Sequence, residues 1–313
     1  MGRRLSKAVM VMLWLCALWR GASLRAQAEL PRAPISALWS DGARLLIGQG
    51  GALFEVAPTA DRLVVRWQIG LGRGALQALA VCPPFTFVLS ADGVSVLDSE
   101  RRERAFAAGG GHRLACNGDQ IWVAALSAGV RRYRVSSEGR LSALEPLRTT
   151  APAHDVVASG ATAFWVAEGV EGVRRYDLEG IARLWLNTFT PAQALRESAD
   201  KLYIGHGGQL SILSLGEPLR LIGSATLTPD DAIVFELIGA QLRIVGQFGE
   251  DGDGARLAAL GADVFVVGGG AFTWLRFTEA TPRLITTWSA APPQCALNVP
   301  TDPQPADGAQ VRV

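Results

Sequence analysis

The sequence predicts an all-β protein assembled from repeated four-stranded sheets, and three observations support this fold class. A Gly-Val-Arg-Arg-Tyr segment occurs at 129–133 and again at 172–176, a shift of 43 residues. The same shift separates Ile-Trp-Val-Ala at 121–124 from Phe-Trp-Val-Ala at 164–167. After residue 28, apolar runs of strand length alternate with glycine-bearing turns, and no long stretch shows the 3.6-residue periodicity of an amphipathic helix.

Each repeat unit has the same internal order, which residues 153–190 illustrate. An apolar run, a Ser-Gly turn, a second apolar run, a glycine-bearing loop and two alternating segments follow one another, at 156–158, 159–160, 164–167, 168–172, 173–178 and 182–186. This order predicts four short antiparallel strands. Four such strands every ~40 residues, repeated round a ring, describe a β-propeller whose stacked blades share one apolar core.

The repeats divide the chain into one large domain with two flanking segments. Six regular units are predicted, at 35–70, 74–108, 112–148, 153–190, 194–227 and 255–288. Residues 231–254 contain only two clear strands, so we favour seven blades with one degenerate, and six blades with an inserted hairpin is the alternative. The domain organisation is therefore a signal peptide at 1–28, a propeller at 29–288 and a Pro-rich tail at 289–313, which we expect to be disordered.

The first 28 residues have the pattern of a secretory signal peptide. Three basic residues precede an apolar run of 12 residues at 8–19, which is too short to span a ~30 Å hydrocarbon core. Ala26-Gln27-Ala28 supplies the small residues of a cleavage site, so we expect the mature chain to begin at Glu29. It would then be extracytoplasmic, in the periplasm, at the outer surface or secreted, with no membrane span. A short membrane anchor and a twin-arginine signal are the alternatives.

Composition and charge exclude several classes of protein. Hydrophobic residues make up 49% of the chain and charged residues 19%, which is too apolar for a disordered protein and too short of charge for a coiled coil. The chain has 30 Lys+Arg against 29 Asp+Glu, but five basic residues fall in the first 28 positions. The mature chain keeps 25 basic residues against 29 acidic ones, a net charge of about −4. We therefore expect no nucleic-acid partner, which would need a basic stripe.

The units at 117–139 and 159–180 share a glycine turn, an aromatic-Val-Ala strand, a glycine loop and a Gly-Val-x-x-Tyr strand. In this order they resemble bacterial LVIVD-type repeats, and the resemblance covers residues 112–190. Asp177 keeps the acidic end of the family pattern, whereas the earlier unit has Arg134-Val135 at that place. The resemblance implies an extracytoplasmic propeller, and it carries no catalytic residues that could be transferred.

Propeller geometry assigns all three histidines to one face. Loops between second and third strands open on the same face as the connections between blades, and we call this the loop face. His112 and His154 occupy equivalent positions at the start of innermost strands, and His206 lies between the second and third strands of the next blade. Together with Asp155 they are candidate ligands of a transition metal, because imidazole and carboxylate suit such ions. The alternative is that they are ordinary surface residues.

An acidic loop at 250–254 offers a second candidate metal site. Asp251 and Asp253 stand at alternating positions with glycines between and after them, which is typical of oxygen-rich calcium loops. The next alternate position is Ala255, so the alternative is a glycine-rich connection at the degenerate blade. We expect no cofactor, and calcium or a transition metal is the one that the sequence would allow.

Three cysteines remain after signal cleavage. Cys82 and Cys116 fall at nearly equivalent places, at the ends of innermost strands in neighbouring blades, where a disulfide would tie two blades together. Cys295 in the tail is an alternative partner for either of them. An oxidising compartment permits one such bond and leaves one cysteine over. The repeated tryptophans at 122 and 165 are predicted to be buried in the core.

The sequence contains no motif of nucleophilic or phosphate chemistry. Gly-x-Ser-x-Gly between a strand and a helix, CxxC, HExxH and the P-loop are all missing. We therefore expect no catalytic residues and predict a non-catalytic binding or scaffold protein, monomeric, whose partner is a protein or a cell-surface polymer. The alternative function is a propeller hydrolase or lactonase with a metal at the channel mouth.

Overall fold

The computed structural model describes residues 35–41, 43–59, 63–198, 200–207, 209–216 and 218–226, and then the six strands between 233 and 289. The predicted signal peptide, the acidic loop at 250–254 with Asp251 and Asp253, and the tail from residue 290 with Cys295 lie outside these residues. None of the described residues forms a helix long and apolar enough to cross a membrane.

The described residues form 26 strands in seven antiparallel sheets, numbered here as blades 1 to 7. Blades 1 to 3 consist of β1 (Ile35–Ser40), β2 (Leu45–Gln49), β3 (Ala52–Pro58), β4 (Leu63–Gly70), β5 (Leu76–Cys82), β6 (Phe85–Ser90), β7 (Gly93–Leu97), β8 (Glu103–Ala108), β9 (Arg113–Asn117), β10 (Gln120–Ala124), β11 (Val130–Val135) and β12 (Leu141–Ala143). Blades 4 and 5 consist of β13 (Asp155–Ser159), β14 (Ala163–Ala167), β15 (Val173–Asp177), β16 (Ala182–Leu186), β17 (Ala192–Ser198), β18 (Lys201–His206), β19 (Gln209–Ser214) and β20 (Arg220–Thr226).

Blade 6 has two strands and blade 7 has four. They consist of β21 (Ile233–Ile238), β22 (Gln241–Gln247), β23 (Arg256–Leu260), β24 (Asp263–Gly268), β25 (Ala271–Thr278) and β26 (Thr281–Ser289). The first strands neighbour one another in the order β1, β5, β9, β13, β17, β21 and β23, and β23 lies beside β1. The ring is therefore closed, and the protein is a β-propeller of seven blades with one degenerate. The all-β prediction is confirmed, and the blade lacking two strands is the one that the sequence indicates.

The core lies between blades, because each middle strand sends alternate side chains to opposite neighbours. In β10, Ile121 and Val123 pack against blade 2, whereas Trp122 packs against blade 4. The Trp122 ring stacks on Phe164 with 5.0 Å between ring centroids, and Phe164 stacks on Tyr176 at 5.7 Å. Burying each such side chain contributes about 1.5–3 kcal/mol, so the aromatic stack is a large part of the contact between blades 3 and 4.

The glycine that opens each Gly-Val-Arg-Arg-Tyr segment is required by the backbone around it. Gly129 and Gly172 have φ of 74° and 81°, in the left-handed region that favours glycine. A Cβ on Gly129 would lie 2.2 Å from the Leu147 carbonyl oxygen, and one on Gly172 would lie 2.3 Å from that of Leu186. The repeated motif therefore marks the point where the loop between second and third strands meets the end of the fourth strand.

A disulfide joins the innermost strands of blades 2 and 3. Cys82 ends β5, Cys116 lies near the end of β9, and their Cα atoms are 6.2 Å apart. This is within the range that disulfides span. The bond lies toward the face opposite the loop face, which we call the turn face, where first and second strands meet. It closes a loop of 34 residues and therefore ties two whole blades together.

We predict that removing this bond lowers the stability of the propeller. Closing a loop of this length restricts the unfolded chain by about 3–4 kcal/mol. The melting temperature measured by circular dichroism should fall in Cys82→Ala and Cys116→Ala, and dithiothreitol should lower it in the wild type. The double variant C82A/C116A is the control, because reductant should leave its melting temperature unchanged. Equal melting temperatures for the wild type with and without reductant would contradict the prediction.

Candidate functional site

His112 and His154 occupy equivalent places on the loop face, as their sequence positions predict. The His112 backbone N–H donates to the Ala124 carbonyl at 2.7 Å, and the His154 N–H donates to the Ala167 carbonyl at 2.8 Å. Both rings are half-buried, and burial lowers the pKa of each imidazole below its usual value. Arg113 and His154 lower the pKa of His112 further, whereas Asp155 acts in the opposite direction on both.

His206 is held apart from this pair by hydrogen bonds of its own. Its Nδ1 lies 2.6 Å from Thr190 Oγ1 and its Nε2 lies 2.8 Å from Ser211 Oγ. Both ring nitrogens are thus engaged within blade 5 and the connection that leads into it, and burial lowers the pKa of the ring. Within the part of the chain that the structure describes, no group of three His, Cys, Asp or Glu side chains is arranged to hold a metal ion.

Asp155, the carboxylate of the predicted metal site, connects three blades. Its Oδ1 accepts a hydrogen bond from the Val156 N–H at 2.9 Å, and its Oδ2 accepts one from the Leu195 N–H of blade 5 at 2.9 Å. Arg196 Nη1 of blade 5 lies 3.4 Å from Oδ2, and Arg113 Nε of blade 3 lies 3.9 Å from Oδ1. The buried carboxylate is therefore committed to linking blades 3, 4 and 5.

We call these three side chains the Arg113–Asp155–Arg196 triad. Burial lowers the pKa of Arg113 to about 10 and Arg196 lowers it too, whereas Asp155 raises it. The guanidinium thus stays charged at neutral pH, and the triad holds two positive charges against one negative charge. Sequence reasoning missed the two arginines. The signal for one of them was present, because Arg113 follows His112 as Asp155 follows His154, which places opposite charges on neighbouring strands.

Glu168 is a second buried carboxylate of the loop face, and its side chain contacts only blade 4 and the chain that enters it, among the described contacts. It accepts hydrogen bonds from Tyr176 Oη and from Thr150 Oγ1, the latter at 2.8 Å, and Arg174 Nε lies 3.7 Å away. Burial and the contact with Glu168 raise the pKa of the Tyr176 hydroxyl. These contacts hold the loop at 168–172 against the chain entering blade 4, and they indicate a structural role.

Exposed apolar side chains gather at the loop-face end of blade 4. Seven large hydrophobic side chains are exposed among the described residues, and four of them lie here. We call this set the blade-4 apolar surface: Leu126 (41% exposed), Val170 (73%), Trp185 (54%) and Phe189 (92%). Clusters of this kind on a soluble protein mark interaction sites, whereas scattered single residues do not.

Backbone contacts bring together the chain segments that carry these side chains. Leu126 exchanges two backbone hydrogen bonds with Ala153, at 3.0 and 3.1 Å, which places it beside the entry to blade 4. The Ala192 N–H donates to the Gly169 carbonyl at 2.8 Å, so the connection that carries Phe189 returns to the loop that carries Val170. Trp185 Nε1 donates to the Glu171 carbonyl at 2.6 Å, which holds the indole against the same loop.

Phe189 projects from a connection that has a counterpart one blade earlier. Residues 188–192 read Thr-Phe-Thr-Pro-Ala and residues 149–153 read Thr-Thr-Ala-Pro-Ala, and in both the first Thr hydroxyl donates to the carbonyl two residues on, at 2.6 Å. At the second position Thr150 binds the buried Glu168, whereas Phe189 faces solvent with φ of 61°. A bulky residue in that left-handed region is uncommon and strained, and such strain is concentrated at functional sites.

We predict that Asp155→Ala destabilises the propeller by about 3–5 kcal/mol, because it removes the buried carboxylate that lies between two guanidinium groups. Urea denaturation followed by tryptophan fluorescence measures the change in the free energy of unfolding. The matched control is Asp119→Ala, which removes an exposed ion pair with Arg134 (3.2 Å) and should cost less than about 1 kcal/mol. Similar losses in the two variants would contradict the linking role of Asp155.

We also predict that stability falls as pH decreases from 7.5 to 5.5. The pKa of each histidine is lower in the folded protein than the ordinary 6.5, so the unfolded chain binds more protons below that pH. The stabilisation is complete above pH 6.5 and is lost as pH falls toward the folded-state pKa values. Urea denaturation at pH 7.5, 6.5 and 5.5 should show the decline, and H112Q/H154Q/H206Q should flatten it. Constant stability in the wild type would refute the prediction.

Comparisons with known proteins show the fold alone. No protein-family model matches the chain, and no curated protein matches it in sequence. Among solved structures, the computationally designed Ika8 protein is 12% identical with a TM-score of 0.57, over 83% of this chain and 88% of that one. Sqt1 of Saccharomyces cerevisiae is 9% identical with a TM-score of 0.55, over 82% and 86%. A functionally unknown protein from Desulfotomaculum acetoxidans is 9% identical with a TM-score of 0.58, over 82% and 84%.

Proposed function

We propose that this chain is an extracytoplasmic, non-catalytic β-propeller that binds a partner protein on its loop face. The observation that carries the proposal is the blade-4 apolar surface. Exposed Trp and Phe side chains on a rigid frame are the residue types that dominate binding energy at protein interfaces. The strained backbone of Phe189 holds its ring in solvent, where it contributes nothing to the stability of the propeller.

The charged groups of the loop face support a binding role over catalysis. Asp155 is committed to two backbone N–H groups and two arginines, and Glu168 is committed to Tyr176 and Thr150. A catalytic carboxylate needs access to a reacting group, and a metal ligand needs an uncommitted lone pair. Neither carboxylate has such a position here, since both are almost fully buried.

The proposed location outside the cytoplasm rests on three observations. The N-terminal 28 residues have the pattern of a secretory signal peptide. The disulfide between Cys82 and Cys116 is of a kind that persists in oxidising compartments. The resemblance of residues 112–190 to LVIVD-type repeats points to the same location. We propose that the protein acts there as a monomeric scaffold.

Co-purification tests the proposal. The tagged full-length chain, expressed in the organism that encodes it, should recover a partner protein from the cell envelope in stoichiometric amount. Phe189→Ser should reduce recovery at least tenfold, because it removes the most exposed ring of the blade-4 apolar surface. Ile181→Ser is the matched control, since Ile181 is 52% exposed in a turn on the opposite face of the same blade.

The measurement is the ratio of partner to bait by quantitative mass spectrometry. Equal recovery by F189S and I181S would overturn the proposed use of this surface, and so would recovery of a cell-surface polymer in place of a protein. Circular dichroism melting of both variants confirms that they fold.

A further inference from the structure

We propose that residues 308–313 of this chain form the third strand of blade 6, paired antiparallel along the outer edge of β22. This pairing is independent of the proposed function, because it concerns the outer half of blade 6 and not the blade-4 apolar surface. Three observations support it: the edge of β22, the side of blade 5 that faces blade 6, and a third-strand pattern in residues 308–313.

The first observation is that β22 has one strand beside it within the described residues. Six sheets have four strands each, whereas β21 and β22 form a sheet of two. A strand at the edge of a sheet presents unpaired N–H and C=O groups, and such an edge is a template for another strand. β22 covers Gln241–Gln247, so its outer edge is long enough for a partner strand of five or six residues.

The chain that follows β22 is too short to supply the outer half of blade 6. β22 ends at Gln247 and β23 begins at Arg256, so the eight residues 248–255 join blade 6 to blade 7. A third and a fourth strand of five residues each, as in blade 4, would need more than these eight residues even without turns. A third strand of blade 6 must therefore come from another part of the chain or from another molecule.

The second observation is that the side of blade 5 toward blade 6 is incompletely covered. Leu213 of β19 packs in the cluster that blades 4 and 5 share, so the neighbouring Ile212 points to the opposite side, toward blade 6. Ile212 is half-buried, whereas Val96, at the equivalent place of blade 2, faces the complete blade 3 and is fully buried. Leu221 and Ile222 on the outermost strand β20 are 63% and 52% exposed. A third strand in blade 6 would cover Ile212.

The third observation is that residues 308–313, outside the described part of the chain, have the sequence pattern of a third strand. A glycine opens or directly precedes each of the six described third strands, which are β3, β7, β11, β15, β19 and β25. Gly308 is the single glycine of residues 290–313, and Ala-Gln-Val-Arg-Val follows it, after the last proline of the chain. The segment matches Gly-Ala-Leu-Phe-Glu-Val at 51–56 in its first two residues, its charged fifth residue and its final Val.

The match with blade 1 also predicts how this strand is oriented. In β3, Phe54 and Val56 belong to a cluster on the side away from blade 2, whereas Leu53 packs against blade 2. The equivalent residues Val311 and Val313 would therefore face the preceding blade. For blade 6 the preceding blade is blade 5, so the two valines would lie against its incompletely covered side.

The chain between β26 and Gly308 is long enough to reach this position. β26 ends at Ser289, and residues 290–307 span up to about 60 Å at ~3.3 Å per extended residue. Facing sheets pack about 10 Å apart and neighbouring strands about 4.8 Å apart. Blade 7 adjoins blade 6 through β21 and β23. Fourth strands end and third strands begin on the loop face, so the chain need not cross the ring.

Hydrogen exchange followed by mass spectrometry of the full-length chain tests the proposal. Val311→Pro removes a backbone N–H and the strand conformation, so it should release residues 308–313 from β22. Peptides that cover residues 241–247 should then exchange at least tenfold faster than in the wild type, and those that cover 120–124 in blade 3 should not change. Thr301→Pro is the matched control, because it adds a proline to the part of the same segment that already contains prolines.

A photo-cross-linker identifies which segment lies beside blade 5. p-Benzoylphenylalanine is placed at Ile212, and in a second variant at Ile222, whose exposed side chain tolerates replacement. At least one of the two variants should form a cross-link, within one chain, to peptides that contain residues 308–313. V311P should reduce the yield of this product at least tenfold, and T301P should leave it unchanged.

Equal exchange of residues 241–247 in the wild type and V311P would overturn the proposal, and so would the absence of residues 308–313 from the products of both cross-linking variants. A cross-link to a second copy of the chain or to a protein of the envelope also overturns it, since another molecule then supplies the strand. Loss of the envelope partner in F189S does not enter these measurements, so the proposed function and this strand pairing fail separately.

Discussion

The structure depends on one constraint: every blade must bury both faces of its sheet against its neighbours. A four-stranded sheet of this size has no core of its own, so stability arises from contacts between successive repeats. Alternate side chains of β10 pack in opposite directions, with Ile121 toward blade 2 and Trp122 toward blade 4. Closure of the ring extends this arrangement to the first and last blades, where β23 lies beside β1. The Arg113–Asp155–Arg196 triad acts within this arrangement, because its carboxylate lies where blades 3, 4 and 5 meet.

The loops between second and third strands differ in length from blade to blade, and the longer ones give the loop face its irregular part. Second and third strands are joined by two residues in blades 1, 2 and 5, whereas the joining loops of blades 3 and 4 have five residues, at 125–129 and 168–172. The longer loops reach the entry of the next blade and bond to it, as Leu126 does with Ala153 and Gly169 with Ala192. They expose apolar side chains outside the ring while leaving the packing between blades intact. The two longer loops of the candidate site thus belong to blades 3 and 4, whose repeats are most alike in sequence.

Most of the fold could be predicted from the sequence, and part of the candidate site could not. The strand order, the degenerate blade and the buried tryptophans follow from local alternation and from the repeat. The equivalence of His112 and His154 is predictable for the same reason. The pairing of Asp155 with Arg113 and Arg196 is different, because those residues lie about 40 positions away on either side and only the angle between blades brings them together. The sequence places His206 in the same candidate metal site as His112 and His154. In the structure, Thr190 and Ser211 form hydrogen bonds with its two ring nitrogens.

The sequence by itself determined the class of the fold, the limits of the blades, the positions of the buried aromatic residues and the glycine-bearing loops between strands. These features depend on the alternation of side chains along a strand and on backbone conformations open to glycine, which are properties of short segments. Only the tertiary structure decided that the ring closes with seven blades, that Asp155 is a link between blades, and that the segments carrying the exposed Leu126, Val170, Trp185 and Phe189 meet at one end of blade 4. The physical reason is that exposure and charge pairing depend on distances between repeats, which the packing of one sheet on the next sets.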